Sequence, residues 1–216
     1  MAGSAGCKVD FKLCLVTDRK PLTGGGLVEA VSQAVSGGVD AVVLREKDLG
    51  GRGLYELGSS LADTLEGRAR LIINDRVDVA MSLGAGVHLP GSGLPVKEAR
   101  RLVGDGALVG LSTHAVEEAK RAELEGADYV FFGPVYETAS KKGLGGPQGL
   151  AGLQEAAASV KIPVFAIGGI GPARVAECLE QGAFGVALIS YVLFSEAPCE
   201  AARNVNKALE RGAQAS

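Results

Sequence analysis

Eight short apolar runs occur along the chain with almost no polar alternation inside them. They span residues 13–17, 41–44, 71–73, 86–89, 108–111, 129–132, 164–167 and 185–189. Strands with one face in water alternate apolar and polar residues, whereas strands covered on both faces are continuously apolar. The pattern therefore predicts eight buried strands of a parallel sheet.

The segments between these runs carry apolar residues at helical spacing. One such series is Leu27, Ala30, Val31, Ala34 and Val35. Helix stops that contain glycine follow several of these segments, at Gly37, Gly84, Gly126 and Gly182. A glycine just past a helix adopts the left-handed conformation readily, so each of these glycines is predicted to end a helix before the next strand begins.

This alternation predicts an α/β fold, a (β/α)₈ TIM barrel formed by a single domain. An open doubly wound sheet shows a similar alternation and is the alternative. The dinucleotide-binding form of that sheet carries G-x-G-x-x-G after its first strand, whereas residues 17–22 read Thr-Asp-Arg-Lys-Pro-Leu. We expect residues 1–10 to be an N-terminal extension, residues 11–211 the barrel domain and residues 212–216 a C-terminal tail.

Composition and charge exclude several classes of protein and of binding partner. The 216 residues are 47% hydrophobic and 22% charged, which excludes a disordered chain. The net charge is -3 and no long basic run is present, so nucleic acid is not expected as a partner. The first residues lack the features of a signal peptide, and no apolar stretch is long enough to span a bilayer. We expect a cytoplasmic protein without membrane contacts, with a homo-oligomer as one alternative for its assembly.

Glycines and a serine after the last two predicted strands indicate a phosphate site. Gly168 and Gly169 follow strand seven and precede Pro172, a residue suited to the first position of a helix. Bare amide groups at a helix N-terminus bind phosphate through hydrogen bonds and the helix dipole. Ser190 follows strand eight, and strands seven and eight form the usual phosphate site of a barrel. A plain glycine-rich turn is the alternative.

Three cations near the same face of the barrel predict a second anion site. Arg45 and Lys47 follow strand two, and Lys141 lies in the segment after strand six. Arginine offers a planar fork to oxyanions and lysine offers a point charge, a combination that suits a di- or triphosphate group. The alternative is that these cations form salt bridges with Glu46, Asp48 or Asp75.

Asp75 and His114 are the candidates for metal binding and proton transfer. Asp75 follows an apolar strand, and Mg²⁺ near bound phosphates takes one or two carboxylates together with waters and phosphate oxygens. The alternative for Asp75 is to cap the helix predicted at residues 76–83. His114 follows strand five, and histidine is a frequent general acid or base. His88, between two apolar residues, is expected to be structural.

A series of motifs follows the predicted strands in chain order. They are Leu-Arg-Glu-Lys at 44–47, Ile-Asn-Asp-Arg-Val-Asp at 73–78, Gly-Val-His-Leu at 86–89, Gly-Leu-Ser-Thr-His at 110–114, Gly-Ala-Asp-Tyr-Val at 126–130, Gly-Pro-Val-Tyr-Glu-Thr at 133–138, Ala-Ile-Gly-Gly-Ile at 166–170 and Ile-Ser at 189–190. In this order they resemble the thiamine phosphate synthases and their thiazole tautomerase relatives, over nearly the whole chain.

The resemblance implies an Mg²⁺-assisted transferase of thiamine biosynthesis. A hydroxymethylpyrimidine group would pass from its diphosphate to the nitrogen of a thiazole phosphate, giving thiamine phosphate and diphosphate. By position, the residues that would hold the diphosphate are Arg45, Lys47, Asn74, Ser112 and Lys141, and Asp75 would bind the metal. The residues that would hold the thiazole phosphate are Thr138, Ser140, Gly168, Gly169, Ile189 and Ser190. The catalytic set would be Arg45, Lys47, Ser112, Lys141 and His114.

Two positions depart from the synthase pattern. Val43 stands where the family usually has glutamine, and Gly93 stands where it has a second metal-binding aspartate. A proline after strand four and the Lys-Lys-Gly-Leu run at 141–144 resemble instead the tautomerase branch. That branch moves protons within a thiazole phosphate carboxylate without metal, and His114 would be its acid/base group. The synthase is the leading interpretation, and a tautomerase or a non-catalytic binder of thiazole or thiamine phosphates is the alternative.

Overall fold

Within residues 9–22, 26–138 and 146–215, which the computed structural model describes, eight parallel strands close into a barrel in chain order. The strands are β1 (Leu13–Val16), β2 (Ala41–Leu44), β3 (Arg70–Asn74), β4 (Gly86–Leu89), β5 (Val109–Thr113), β6 (Tyr129–Phe132), β7 (Val164–Ile167) and β8 (Gly185–Leu188). Each strand pairs with the next, and β8 pairs with β1. The closed barrel confirms the predicted (β/α)₈ fold over the open sheet.

Helices follow the strands and cover the outside of the barrel. They are α1 (Leu27–Ser36), α2 (Gly51–Leu65), α3 (Val77–Leu83), α4 (Val96–Val103), α5 (Val116–Leu124), α6 (Gly149–Ser159), α7 (Pro172–Glu180), α8 (Ser190–Leu193) and α9 (Pro198–Ala215). The last helix, α9, packs against α1 and α7, and it runs through most of the predicted C-terminal tail. No helix in the described part of the chain is long and apolar enough to cross a membrane.

The glycines at the helix ends behave as predicted with one exception. Gly84, Gly126 and Gly182 adopt left-handed conformations with φ of 61°, 93° and 85°. Gly37, however, has φ of -91°, and the following Gly38 is the left-handed residue, with φ of 106°. A Cβ on Gly37 would lie 2.1 Å from the carbonyl oxygen of Cys199. Gly37 is therefore required by the close approach of the segment at Cys199, not by the turn.

Aromatic rings fill the bore of the barrel. The buried inward-facing cluster consists of Val9, Phe11, Cys14, Val16, Ala41, Val43, Ile72, Tyr129, Phe131, Phe165 and Ala187. A Cβ on Gly110 would lie 2.2 Å from Cζ of Tyr129, and one on Gly185 would lie 2.8 Å from Cε1 of Phe165. Large side chains on β6 and β7 therefore occupy space that glycines on neighbouring strands leave open. Val9, within the predicted N-terminal extension, belongs to this packed interior.

The buried carboxylate of Glu46, just after β2, forms hydrogen bonds with residues just after β1. Glu46 is 5% exposed. Its Oε1 accepts a hydrogen bond of 2.6 Å from the hydroxyl of Thr17, and its Oε2 accepts one of 3.0 Å from the guanidinium of Arg19. The backbone amide of Arg19 donates to both carboxylate oxygens. Thr17 in turn accepts a 2.9 Å hydrogen bond from the amide of Arg45, so this network fixes where the segment after β2 leaves the barrel.

Replacing Gly110 with alanine is expected to lower the free energy of unfolding by about 2 kcal/mol, because the new methyl group collides with the enclosed ring of Tyr129. Urea denaturation measures the loss. Gly106→Ala is the matched control, since a Cβ there has no neighbour within 4 Å. Equal unfolding midpoints for Gly110→Ala and the control would contradict the packing described for the bore.

The Glu46→Gln variant should also be destabilised, by roughly 1–3 kcal/mol. A carboxamide offers one acceptor oxygen where the carboxylate offers two, so a donor from Thr17 or Arg19 loses its partner. Denaturant titration again supplies the measurement. The exposed Asp48 pairs with the same guanidinium, and Asp48→Asn should change the midpoint much less. The interpretation fails if Asp48→Asn is the more destabilising of the two.

Candidate active site

One rim of the barrel carries the predicted site residues, because the carboxyl ends of parallel strands lie on the same side. In chain order, those in the described part of the chain are Arg45, Lys47, Asn74, Asp75, Ser112, His114, Thr138, Gly168, Gly169, Ile189 and Ser190. Ser140 and Lys141 lie outside the described residues. The rim therefore brings together groups that are far apart in the sequence, from the end of β2 to the start of α8.

The end of β3 presents a carboxylate that does not cap a helix. Asn74 is the last residue of β3 and lies opposite His88 in the sheet register. Asp75 follows in a left-handed conformation, with φ of 66°, and its amide donates to the carbonyl oxygen of His88 at 2.9 Å. Helix α3 begins at Val77 without a side-chain hydrogen bond at its N-terminus. The capping alternative for Asp75 is therefore wrong.

The turn after β4 passes directly against this carboxylate. The amide of Gly93 donates to the carbonyl oxygen of Pro90 and closes the turn. A Cβ on Gly93 would lie 2.8 Å from Oδ1 of Asp75. A side chain at position 93 would therefore lie beside the carboxylate of Asp75. A second ligand to a metal bound by Asp75 would have to lie there. Within the described residues, no group of three or more acidic, histidine or cysteine side chains gathers as a metal site.

The cations after β2 are not neutralised by the carboxylates beside them in the sequence. Arg19 binds Glu46, and it binds Asp48 through two hydrogen bonds of 2.9 Å. Arg45 is half-buried and Lys47 is exposed, and neither forms an ion pair with any described residue. Within the described residues, Arg45 and Lys47 therefore do not form the alternative salt bridges with Glu46, Asp48 or Asp75. Lys141, the third predicted cation, lies outside the described residues.

His88 connects the barrel interior to Ser112. The imidazole is 2% exposed and packs against the ring of Phe131, with 4.1 Å between the ring centroids. Its Nε2 lies 2.9 Å from the hydroxyl oxygen of Ser112, and its Nδ1 lies 3.2 Å from the hydroxyl oxygen of Tyr129. Burial lowers the pKa of His88 to about 3, so the ring is neutral near pH 7. Burial also raises the pKa of Tyr129, so that this phenol keeps its proton.

His114 lies at the rim between β5 and β6. Its Nδ1 contacts the carbonyl oxygen of Gly133, and its backbone amide donates to Glu118 at 2.7 Å. These contacts fix the residue at the end of β5. Unlike His88, the side chain of His114 is exposed at the face where a ligand would bind.

Two left-handed glycines shape the other side of the rim. Gly168 and Gly169 have φ of 100° and 66°. A Cβ on Gly168 would lie 2.6 Å from Cβ of Pro134, and one on Gly169 would lie 2.6 Å from the carbonyl oxygen of Glu137. Only glycine fits both the conformation and the space at these positions. Their backbone leads directly to the N-terminus of α7, which begins at Pro172 as predicted.

A second polar cluster, which the sequence did not indicate, supports these glycines. The guanidinium of Arg174 donates to the carbonyl oxygen of Gly169 and lies 4.2 Å from the ring centroid of Tyr136. The hydroxyl of Tyr136 donates to Glu177 at 2.7 Å, and partial burial with this hydrogen bond raises the pKa of Tyr136. The cluster ties the segment after β6 to α7. No spacing in the sequence pairs Tyr136 with Arg174 and Glu177, because these contacts join different βα units.

A family model and the curated relatives of this chain point to the same family. A family model described as thiamine monophosphate synthase matches residues 13–192. A thiamine-phosphate synthase of Clostridium novyi is 41% identical over 187 residues, which are 86% of this chain and 92% of that protein. A thiamine-phosphate synthase of Methanoculleus marisnigri is 43% identical over 197 residues, which are 90% and 93% of the two chains.

A solved structure extends the agreement to the fold. The thiamine phosphate pyrophosphorylase from Pyrococcus furiosus superposes with a TM-score of 0.84 at 36% identity, over 94% of this chain and 96% of that one. These similarities confirm the interpretation of the sequence as a thiamine-biosynthesis transferase of the synthase type. The chain therefore belongs to the thiamine monophosphate synthase family.

Proposed function

We propose that this protein transfers a hydroxymethylpyrimidine group from its diphosphate to a thiazole phosphate, with release of diphosphate. The observation that carries the proposal is that two regions with residues suited to bind anions lie on one rim, on either side of β1. One region, after β2 and β3, contains Arg45 and Lys47. The other, after β7 and β8, contains Gly168 and Gly169. A transferase with two phosphorylated substrates needs two such regions, whereas an isomerase of one phosphate needs one.

The region after β2 and β3 is assigned to the diphosphate. Arg45 and Lys47 keep their charge available because Arg19 occupies the neighbouring carboxylates. The amide of Asn74, at the end of β3, and the hydroxyl of Ser112, near the end of β5, add neutral hydrogen-bonding groups on the same rim. By the resemblance, Lys141 completes this region. Charge-assisted hydrogen bonds of this kind strengthen as negative charge accumulates on the departing diphosphate.

The region after β7 and β8 is assigned to the thiazole phosphate. The bare backbone at Gly168 and Gly169 allows a phosphate to approach closely, and the nine-residue helix α7 begins just beyond. Thr138, Ile189 and Ser190 lie at neighbouring strand ends on the same rim. Ser140, by the resemblance, adds a hydroxyl. A phosphate anchored here would hold the thiazole ring toward the centre of the rim.

The donor set fits Mg²⁺ bound through a single protein carboxylate. Asp75 is exposed and forms no side-chain hydrogen bond or ion pair with the described residues. Mg²⁺ is commonly held by one or two carboxylates, with waters and substrate phosphates completing the octahedron. When bound, the ion would neutralise negative charge on the leaving diphosphate. With glycine at position 93, the metal is expected to bind mainly together with the diphosphate.

The chain's own residues then have two tasks in the transfer. Arg45 and Lys47 stabilise the diphosphate as its bond to the pyrimidine methylene breaks. The glycine turn at Gly168 holds the thiazole so that its nitrogen forms the new bond to that methylene.

Purified protein given both substrates and Mg²⁺ should produce thiamine phosphate and diphosphate, and chelation of the metal should stop the reaction. Lys47→Ala should lower kcat/KM by roughly 10–100-fold, because a cation is lost where charge develops. Lys161→Ala removes the same charge at the opposite end of the barrel and is the control, expected to leave turnover unchanged.

Two results would contradict the proposal. One is the absence of thiamine phosphate with both substrates and Mg²⁺ present. The other is isomerisation of a thiazole phosphate carboxylate that needs no metal and is lost in His114→Asn, since that behaviour belongs to the tautomerase.

Gly93→Asp should reduce the Mg²⁺ concentration needed for half-maximal activity by roughly tenfold, because it supplies a second carboxylate beside Asp75. The new Cβ would lie 2.8 Å from Oδ1 of Asp75, so that carboxylate must move slightly to share the ion. A magnesium titration of initial rates measures the effect. Ser92→Asp adds the same charge at an exposed position of the same turn and controls for general electrostatics. An unchanged magnesium requirement in Gly93→Asp would remove Asp75 as the metal ligand.

A further inference from the structure

A chain of hydrogen bonds leads from the middle of the barrel to the rim. It begins at the hydroxyl of Tyr129 in β6, passes through both ring nitrogens of His88 in β4, and ends at the hydroxyl of Ser112 in β5. Tyr129 is fully buried and His88 nearly so, whereas Ser112 is only half-buried. The chain therefore connects an enclosed polar group to one that a ligand can reach.

The buried end of the chain fixes the direction of its hydrogen bonds. In the part of the chain that the structure describes, Nδ1 of His88 is the hydrogen-bond partner of the Tyr129 hydroxyl, at 3.2 Å. If Nδ1 carried a proton, it would donate to the phenol oxygen, and the phenol proton would be buried without an acceptor. An unpaired buried donor costs roughly 1–3 kcal/mol, so the phenol must donate and Nδ1 must accept.

The direction of the hydrogen bond between Tyr129 and His88 determines the direction of the one between His88 and Ser112. A neutral imidazole with an unprotonated Nδ1 carries its proton on Nε2. Nε2 then donates to the Ser112 oxygen across 2.9 Å. The serine hydroxyl accepts from histidine and keeps its own proton, for which the described residues supply no acceptor. That proton is available to a ligand at the rim.

We propose that Tyr129 and His88 are positioning residues that hold Ser112 as a hydrogen-bond donor toward the bound diphosphate. The inference rests on the proposed function, which assigns Ser112 to the diphosphate region. A serine hydroxyl otherwise serves equally as donor or acceptor. A diphosphate offers only hydrogen-bond acceptors. If the Ser112 hydroxyl is fixed as a donor, its oxygen lone pairs no longer point at the anion, an orientation that would oppose binding.

Nuclear magnetic resonance tests the direction of the chain without any substrate. The sequence contains two histidines, so ¹⁵N-histidine labelling gives two imidazole rings, and the His114→Asn variant identifies the signals of His88. Two-bond ¹H–¹⁵N correlations distinguish the tautomers. We expect His88 to be neutral and protonated at Nε2 near pH 7. A ring protonated at Nδ1, or at both nitrogens, would overturn the proposal.

A double-mutant cycle tests whether Tyr129 acts through Ser112. The probe is the affinity for inorganic diphosphate in the presence of Mg²⁺, measured by calorimetry. Tyr129→Phe keeps the ring and removes the hydroxyl, and it should weaken binding roughly fivefold when Ser112 is present. In the Ser112→Ala background the same change should alter affinity less than about twofold, since no hydroxyl remains to be oriented. Tyr55→Phe, on the exposed surface of α2, is the matched control.

The outcomes separate this proposal from the proposed function. Equal losses of affinity on Tyr129→Phe in both backgrounds would show a purely structural role and overturn the positioning role. Failure of the unmutated protein to bind diphosphate would contradict the proposed function and, with it, the ligand assigned to Ser112. The tautomer of His88 would still decide whether Ser112 is held as a donor.

Discussion

The fixed volume of the barrel bore is the constraint on which the rest of the structure depends. A closed eight-stranded barrel has room for packed side chains but not for a channel, so the inward residues must fill one shared volume. Four rings, those of Phe11, Tyr129, Phe131 and Phe165, take much of it. Neighbouring strands must then carry residues without side chains at the contact points. Part of the glycine content of the chain is therefore explained by the strands rather than by the turns.

The same packing brings a polar atom into the interior. The ring of Tyr129 lies in the space left by Gly110, and its buried hydroxyl needs a hydrogen-bond partner from another strand that faces the bore. His88 is that partner, and its second ring nitrogen reaches Ser112 at the rim. One imidazole thus connects the packed core with the proposed diphosphate site. A side chain that looks purely structural from its apolar neighbours in the sequence lies next to Ser112, the residue proposed to bind the diphosphate.

Sequence patterns predicted the barrel because its strands are covered on both faces, which leaves continuous apolar runs. The bounds of β2, β4, β6 and β7 agree with those runs, and the rim position of the site residues follows from the same alternation. Contacts between distant segments were not predictable. Nothing near Gly37 indicates that Cys199 will approach it, and several carboxylates were equally plausible partners for the cations after β2. Such pairings depend on how the barrel closes, which local spacing does not encode.

The way these carboxylates are paired decides what the rim can bind. Glu46 stands between Arg45 and Lys47 in the sequence, yet its side chain is buried and bound to Thr17 and Arg19. The two cations therefore keep their charge for a ligand, although the protein as a whole is negative. On the next strand, Asp75 forms no side-chain hydrogen bond or ion pair within the described residues. Cations and a carboxylate thus stand on adjacent strand ends without neutralising one another, and a diphosphate with its divalent cation complements both.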